Sequence, residues 1–156
     1  MSEYFIIKWI HILSATLLFG TGLGSAFYKW SADRSGDISA IAHTNRVVVL
    51  ADWIFTTPTV IIQPLTGIWL LQIFGIPYTQ GWVVITLILY LLAGACWLPV
   101  VWLQIRMRDL SLAAVKQGQP LSPLYHKHAK QWFWLGVPAF TAMVVVYFLM
   151  VFKPAL

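Results

Sequence analysis

Apolar side chains dominate four long stretches of the chain, and short polar segments separate them. We place these stretches near residues 4–28, 47–74, 82–106 and 131–152. A helix needs about 20 residues to cross the hydrocarbon core of a bilayer, and each stretch is long enough. Backbone amides in lipid must be paired within their own segment, which a helix achieves. The pattern therefore predicts an all-α fold, an integral membrane antiparallel four-helix bundle that forms a single domain over residues 1–156.

The polar segments predict the connections between these spans. The first, residues 29–46, contains S-A-D-R-S-G-D, where Asp37 or Ser39 can cap a short interfacial helix. The second, residues 75–81, is short and uncharged, which predicts a tight antiparallel hairpin of spans two and three. The third, residues 107–130, carries the turn-forming cluster Q-G-Q-P-L-S-P.

Composition favours a lipid environment and excludes several other classes of protein. The chain is 60% hydrophobic and 10% charged, whereas soluble domains are about half apolar and a quarter charged. The net charge of +5 comes from basic residues beside the apolar stretches, so we expect no nucleic-acid partner. Cys96 is the only cysteine, which excludes an internal disulfide and a cysteine metal cluster.

Basic residues are divided unevenly between the two ends of the predicted bundle. Eight of the ten lie in or beside the first and third loops, and only Lys8 and Lys153 lie at the other end. Loops rich in Lys and Arg stay in the cytoplasm. The distribution therefore predicts that loops one and three are cytoplasmic and that both termini lie outside.

Span two contains two features that membrane helices rarely carry. Pro58 and Pro64 each remove a backbone hydrogen bond, which predicts kinks. Asp52 is the only carboxylate well inside a span, and we predict that Arg106 in span three pairs with it. A structural clamp is one interpretation of this ion pair. The functional alternative is a proton path, or a clamp on an anionic group such as a propionate.

His11 is the only one of four histidines that lies well inside a span, within K-W-I-H-I-L-S-A-T-L-L-F-G-T-G-L-G. Ionisable groups in lipid mark candidate functional sites, and neutral imidazole is a common ligand of metal ions and haem iron. The alternative is a structural hydrogen bond to a neighbouring span, at Thr66 or Tyr147. Spacing alone leaves both interpretations open.

Residues at the same depth in other spans are candidates to complete a haem site. Gly67 would let a flat macrocycle approach the backbone, and Met143 is a candidate sixth ligand. Tyr147 shares a helix face with Met143, although such a stripe commonly serves core packing. No second histidine lies inside a span, so a haem would be five-coordinate, His/Met-ligated or shared across a dimer.

Two small residues in the first span suggest a way to form that dimer. Gly20 and Gly24 are four residues apart and form a small-xxx-small pair, which lets another helix backbone come close. The partner helix would belong to the same chain or to a second copy. We therefore expect contact with the lipid bilayer and a possible homodimer through this face.

Segments from all four spans resemble a bacterial family of predicted four-span integral membrane proteins. They are K-W-I-H-I-L-S-A-T-L-L-F-G-T-G-L-G-S-A-F, A-D-W-I-F-T-T-P with Q-P-L-T-G-I-W-L, W-L-P-V-V-W-L-Q-I-R-M-R-D-L, and F-L-M-V-F-K-P. The resemblance covers most of the chain and implies a multi-pass protein of the bacterial inner membrane. It implies no settled activity.

The first span, with K-x-x-H-I followed by small residues, is also similar to two wider groups. These are the HemJ-type protoporphyrinogen IX oxidases and the copper-resistance protein D family. The HemJ resemblance implies haem b at the position of His11 and, if the chain is an enzyme, a HemJ-like membrane oxidoreductase. The copper-resistance resemblance implies copper transport.

Together, these observations predict a membrane protein that binds haem b and has a redox role. That role would be electron transfer, or oxidation of a porphyrin-like or quinol substrate. One alternative is a non-catalytic membrane scaffold or subunit without a cofactor, in which His11 and Asp52 only tie helices together. The other is a small metal transport component, with the kinked second span as its moving part.

Overall fold

A computed structural model describes residues 2–155 of the chain. Its helices are α1 (Ser2–Ser35), α2 (Ile38–Phe74), α3 (Gly81–Gln117) and α4 (Pro123–Phe152). All four are long and apolar enough to cross a membrane, and the described residues contain no strand. The prediction of an all-α bundle of membrane helices is confirmed.

Large apolar side chains cover the outside of the bundle. Leu91 and Val151, for example, are 71% and 73% exposed. A soluble monomer rarely exposes apolar patches larger than a few hundred Å². On helices that cross a bilayer, this surface is the one that contacts lipid.

Helices α1 and α2 extend further toward each other than the polar pattern predicted. Because α1 continues to Ser35 and α2 begins at Ile38, only two residues connect them. Asp37 caps α2 as expected, since its carboxylate accepts a hydrogen bond from the amide of Ser39 at 2.9 Å. The prediction of a long loop over residues 29–46 was wrong. The polar residues there belong to helical extensions with one buried face.

The predicted third loop, residues 107–130, is shortened in the same way. Helix α3 ends at Gln117, where Gly118 takes a left-handed φ of 62°. Ser122 then caps α4, because its hydroxyl accepts a hydrogen bond from the amide of Tyr125 at 3.3 Å. The connection is therefore five residues long and coincides with part of the turn-forming cluster.

Helix α2 contains a π turn, Asp52–Thr56, shortly before Pro58. Proline has no amide hydrogen to donate, and π turns accommodate such irregularities, often at functional sites. The hydroxyl of Thr59 donates to the carbonyl oxygens of Phe55 and Thr56 at 2.6 and 2.9 Å. The turn leaves both Asp52 and Thr56 buried in the bundle.

The helices pack as two pairs. The half of α2 that follows the π turn packs against α1, and α3 packs against α4, while the first half of α2 joins the pairs by packing against α3. Gly75 ends α2 with a φ of 62° and begins the predicted short second loop. The short antiparallel connection of spans two and three is confirmed, but the two helices do not pack tightly beside it. The second half of α2 lies apart from α3 and contacts it through side chains, as where the Tyr90 hydroxyl donates to the Val60 carbonyl oxygen at 2.7 Å. Both helices also line a cavity.

A buried polar network occupies the loop end of the bundle, where α1 connects to α2 and α3 connects to α4. Lys29 is 1% exposed, and its Nζ donates to Asp33 at 2.9 Å and to the Tyr125 hydroxyl at 3.0 Å. Asn45 donates to the same hydroxyl at 3.0 Å and to the Ser111 hydroxyl at 3.1 Å. Lys29 looked like an interfacial loop charge in the sequence. It is a buried residue in a network that joins all four helices.

Candidate functional site

The four residues predicted to surround a haem line a single cavity. It has a volume of about 590 Å³ and lies at the end of the bundle that carries both termini, so we call it the terminal cavity. His11 comes from α1, Gly67 from α2, and Met143 and Tyr147 from α4. The divergence of α2 from α3 provides the space.

The His11 ring is oriented by a hydrogen bond to α2. Its Nδ1 lies 2.8 Å from the Thr66 hydroxyl oxygen, and that hydroxyl donates to the carbonyl oxygen of Ile62 at 2.7 Å. Because the hydroxyl hydrogen is engaged there, we infer the tautomer in which Nδ1 donates to Thr66 and the lone pair is on Nε2. The structural hydrogen bond expected at Thr66 is confirmed. Tyr147, the other expected partner, packs instead on the ring of Phe19 at 5.2 Å.

The second nitrogen of His11 is held less tightly. Its Nε2 lies 3.5 Å from Nε2 of Gln63, which is long for a hydrogen bond. Gln63 is itself fixed, because its side-chain oxygen accepts a hydrogen bond from the Ser14 hydroxyl on α1. The ring is therefore anchored through Nδ1 and has a weakly engaged Nε2.

Gly67 makes room for the His11 ring, whereas the sequence predicted that it would make room for a macrocycle. A Cβ atom at this position would lie 3.3 Å from Cε1 of His11, closer than ordinary van der Waals contact. The absence of a side chain is therefore what admits the imidazole ring between α1 and α2. Gly67 therefore does not leave its backbone open to a flat ligand, because the His11 ring already occupies that space.

Two lysines that appeared only as orientation signals in the sequence line the terminal cavity, Lys8 on α1 and Lys153 just after α4. The Nζ of Lys8 donates to the Tyr4 hydroxyl at 3.0 Å. The Nζ of Lys153 lies over the rings of Phe74 and Trp82, at 5.6 and 6.0 Å from their centroids. The cavity thus combines an imidazole inside with positive charge near its outer rim.

The predicted Asp52–Arg106 ion pair is wrong. The carboxylate of Asp52 accepts a hydrogen bond from the Thr56 hydroxyl at 2.8 Å and lies beside the buried side chain of Gln104. The guanidinium of Arg106 lies instead over the ring of Trp102, 5.7 Å from its centroid. Two helical residues turn the side-chain direction by about 200°. If Gln104 faces Asp52, Arg106 therefore points away.

This correction gives a direct prediction for thermal stability. We expect Arg106→Ala to leave the melting temperature in detergent almost unchanged, because the exposed guanidinium has no carboxylate partner within residues 2–155. Asp52→Ala is the matched comparison, and it should lower the melting temperature because it removes a buried hydrogen bond. A large loss of stability in Arg106→Ala would contradict this prediction and indicate that Arg106 does pair with a carboxylate.

The Gly20/Gly24 face is not packed against another helix of the chain. A Cβ at Gly20 would meet nothing within 4 Å, and one at Gly24 would meet only the ring of Tyr28, on the same helix, at 3.8 Å. The close approach that small residues permit is therefore unused within the chain. The homodimer through this face stays a prediction.

The residues that the structure describes contain no group of three or more His, Cys, Asp or Glu side chains that could hold a metal ion. Cys96 is a free thiol inside α3. The metal interpretation of the chain thus depends on single ligands such as His11.

Comparison with known proteins establishes the family. No curated protein and no solved structure matches the chain. A family profile matches residues 5–154, which is nearly the whole chain and includes all four helices. The chain belongs to the family described as predicted integral membrane protein (DUF2269).

Proposed function

We propose that this chain is a membrane redox protein that binds haem b in the terminal cavity through His11. The hydrogen bonding of the His11 ring carries the proposal. Thr66 holds the Nδ1 side of the ring, and the side-chain contact from Nε2 to Gln63 is long, at 3.5 Å. Histidines that ligate metals are typically oriented by such a bond from their other nitrogen.

The terminal cavity suits a large apolar ligand with acidic groups. Its volume of about 590 Å³ falls within the range of 300–1,000 Å³ that is usual for cofactor sites. Aliphatic side chains such as Leu71 and Val146 form much of its wall. Lys8 and Lys153 provide positive charge for two carboxylates, such as the propionates of haem.

Bound haem would supply one-electron redox chemistry, with a potential set by the residues that ligate the iron and by the burial of the site. His11 and Met143, which lies on the opposing helix pair, would hold the iron, and Tyr147 would pack beside the ring. The role would be electron transfer, or oxidation of a porphyrin-like or quinol substrate.

The location of the protein is part of the same proposal. We infer that it lies in a bacterial inner membrane with both termini outside the cytoplasm. With Lys29 paired to Asp33 inside the bundle, seven of the eight basic residues assigned to the loop end remain, against two at the other end. This asymmetry still supports cytoplasmic loops one and three. The bare surface at Gly20 supports a homodimer.

A second candidate function is that of a scaffold without a cofactor. Two hydrogen bonds between α1 and α2 favour it, from His11 to Thr66 and from Ser14 to Gln63. Bonds of this kind in a membrane each contribute about 0.6–2 kcal/mol to helix association. In this candidate, the polar groups of the terminal cavity serve only to hold the first pair of helices together.

The visible spectrum of a histidine variant separates the two candidates. The protein is expressed with ample haem supply, purified in detergent, and compared with His11→Ala. We expect His11→Ala to lose the Soret band, because the proposed axial ligand is gone, while its far-UV circular dichroism remains helical.

His43→Ala is the matched control, because His43 is exposed on α2 and far from the terminal cavity. It should keep the full Soret band. Equal bands in wild type, His11→Ala and His43→Ala would contradict ligation by His11.

A further inference from the structure

A second cavity, of about 410 Å³, lies between all four helices in the middle of the bundle. We call it the central cavity. Its wall is almost entirely apolar and includes the aromatic rings of Phe19, Phe133 and Phe140. Asp52 and Thr56 of the π turn and Gln104 of α3 form a polar cluster in this wall.

Unpaired polar atoms are concentrated around this cavity. Within residues 2–155, four buried side-chain atoms have no hydrogen-bond partner. Three of them belong to residues of the central cavity, Nε1 of Trp97, Oε1 of Gln104 and Nε1 of Trp132. Gln104 is only 5% exposed. Buried polar atoms in proteins are nearly always paired, with the exceptions often marking an unseen water, ion or ligand.

The chemistry of these atoms defines what would satisfy them. The two indole N–H groups need acceptors, whereas the Gln104 oxygen needs a donor. The nearby Asp52 carboxylate already accepts from Thr56, and its remaining lone pairs can accept from a further donor. A lipid acyl chain offers neither, and an anionic head group would be repelled by Asp52. A neutral, lipid-soluble ligand with oxygens that both accept and donate would satisfy these atoms.

We propose that the central cavity binds the head group of a lipid-soluble quinone or quinol. The ring is flat and packs on aromatic side chains. The hydroxyls of a quinol donate to Gln104 and Asp52, while their oxygens accept from the indole groups of Trp97 and Trp132. The quinone form keeps the acceptors and loses the donors, so the cavity binds the reduced form more tightly.

This site is separate from the haem site proposed at His11. His11 does not line the central cavity, although Met143 and Tyr90 line both cavities and place them side by side in the bundle. Binding of the quinone or quinol ring depends on the four helices and does not need haem. It can therefore be measured in protein without haem and in the His11→Ala variant.

The test is the quenching of tryptophan fluorescence by a decyl-substituted benzoquinone and its quinol, with purified protein in detergent. Saturable quenching is expected in wild type and equally in His11→Ala. Gln104→Leu should weaken quinol binding about tenfold, as expected for the loss of one hydrogen bond. It should weaken quinone binding less.

A cavity-filling substitution locates the site. A Cβ at Gly94 meets nothing within 4 Å, so the side chain of Gly94→Leu has room to occupy the central cavity and should abolish saturable quenching. Ala95→Leu is the matched control, because Ala95 is exposed on the next position of α3 and does not line the cavity. It should bind like wild type.

Two outcomes would overturn the proposal. One is quenching that is equally strong in Gly94→Leu, Gln104→Leu and wild type, which indicates partition into the detergent. The other is equal competition by decylbenzene, which has the same tail and ring without oxygens and would show that only apolar packing matters. Loss of binding in His11→Ala alone would move the ligand to the terminal cavity and contradict a separate site.

Discussion

Replacing Tyr125 with Phe is expected to lower the free energy of unfolding by about 3 kcal/mol, although the ring and its packing are kept. The Tyr125 hydroxyl donates to Asp33 at 2.6 Å and accepts from Lys29 and Asn45, each at 3.0 Å. Hydrogen bonds to charged groups contribute about 1.5–3 kcal/mol each, and a stranded buried donor adds its own cost. The substitution removes all three bonds at once and leaves Asn45 and Lys29 short of a partner.

For a chain of this length, such a loss corresponds to a melting temperature lower by about 6–12 °C. Thermal unfolding in detergent, followed by circular dichroism, measures it. Tyr28→Phe is the matched control, because Tyr28 is 66% exposed and should tolerate the change. If both variants melt at the same temperature, the network does not stabilise the loop end.

Thr66→Val should weaken haem binding by about 10- to 100-fold, the usual effect of removing the partner that orients a metal-ligating histidine. The valine keeps the shape of Thr66 and removes the acceptor of the His11 Nδ1 hydrogen, which lies 2.8 Å away. The ring is then free to change tautomer and orientation. Haem titration of the purified protein, followed by the Soret band, measures the affinity.

Thr141→Val is the control for this substitution. Its hydroxyl is exposed, donates to the carbonyl oxygen of Val137 in its own helix at 2.9 Å, and does not line the terminal cavity. It should leave the haem affinity unchanged. Equal affinities in Thr66→Val and Thr141→Val would show that Thr66 does not orient a ligand.

The fold could be predicted because each of the four stretches is long and apolar enough to cross a bilayer, where the backbone must form a helix. The helix ends could not, because the residues near Ser35 and Gln117 are polar yet still helical. A polar run in a membrane protein marks where lipid ends. It does not mark where a helix ends, since water and neighbouring helices support further turns.

The residues of the terminal cavity could be predicted from depth, since His11, Gly67 and Met143 lie at matching distances along their helices. Side-chain partners could not be predicted in this way, because they depend on how each helix is rotated about its own axis. Arg106 was expected to meet Asp52, but the π turn and the phase of α3 bring Gln104 to that carboxylate instead. A π turn adds one residue per turn and so cannot be anticipated from a regular period.

The loop-end network shows a second limit. Lys29 and Asp33 are four residues apart, a spacing that sequence alone identifies as a helical ion pair. Burial of that pair depends on Tyr125, which lies 96 residues after Lys29 in the chain. Because the contact with Tyr125 cannot be predicted from the sequence, Lys29 is indistinguishable there from the other basic residues at the membrane–water interface.

The visible spectrum of the purified wild-type protein is the strictest test of whether His11 ligates haem iron. Protein made with ample haem supply should be coloured, with a Soret band that shifts on reduction and a stoichiometric amount of haem per chain. A colourless preparation that is folded, stable and unable to take up added haem would contradict haem binding through His11.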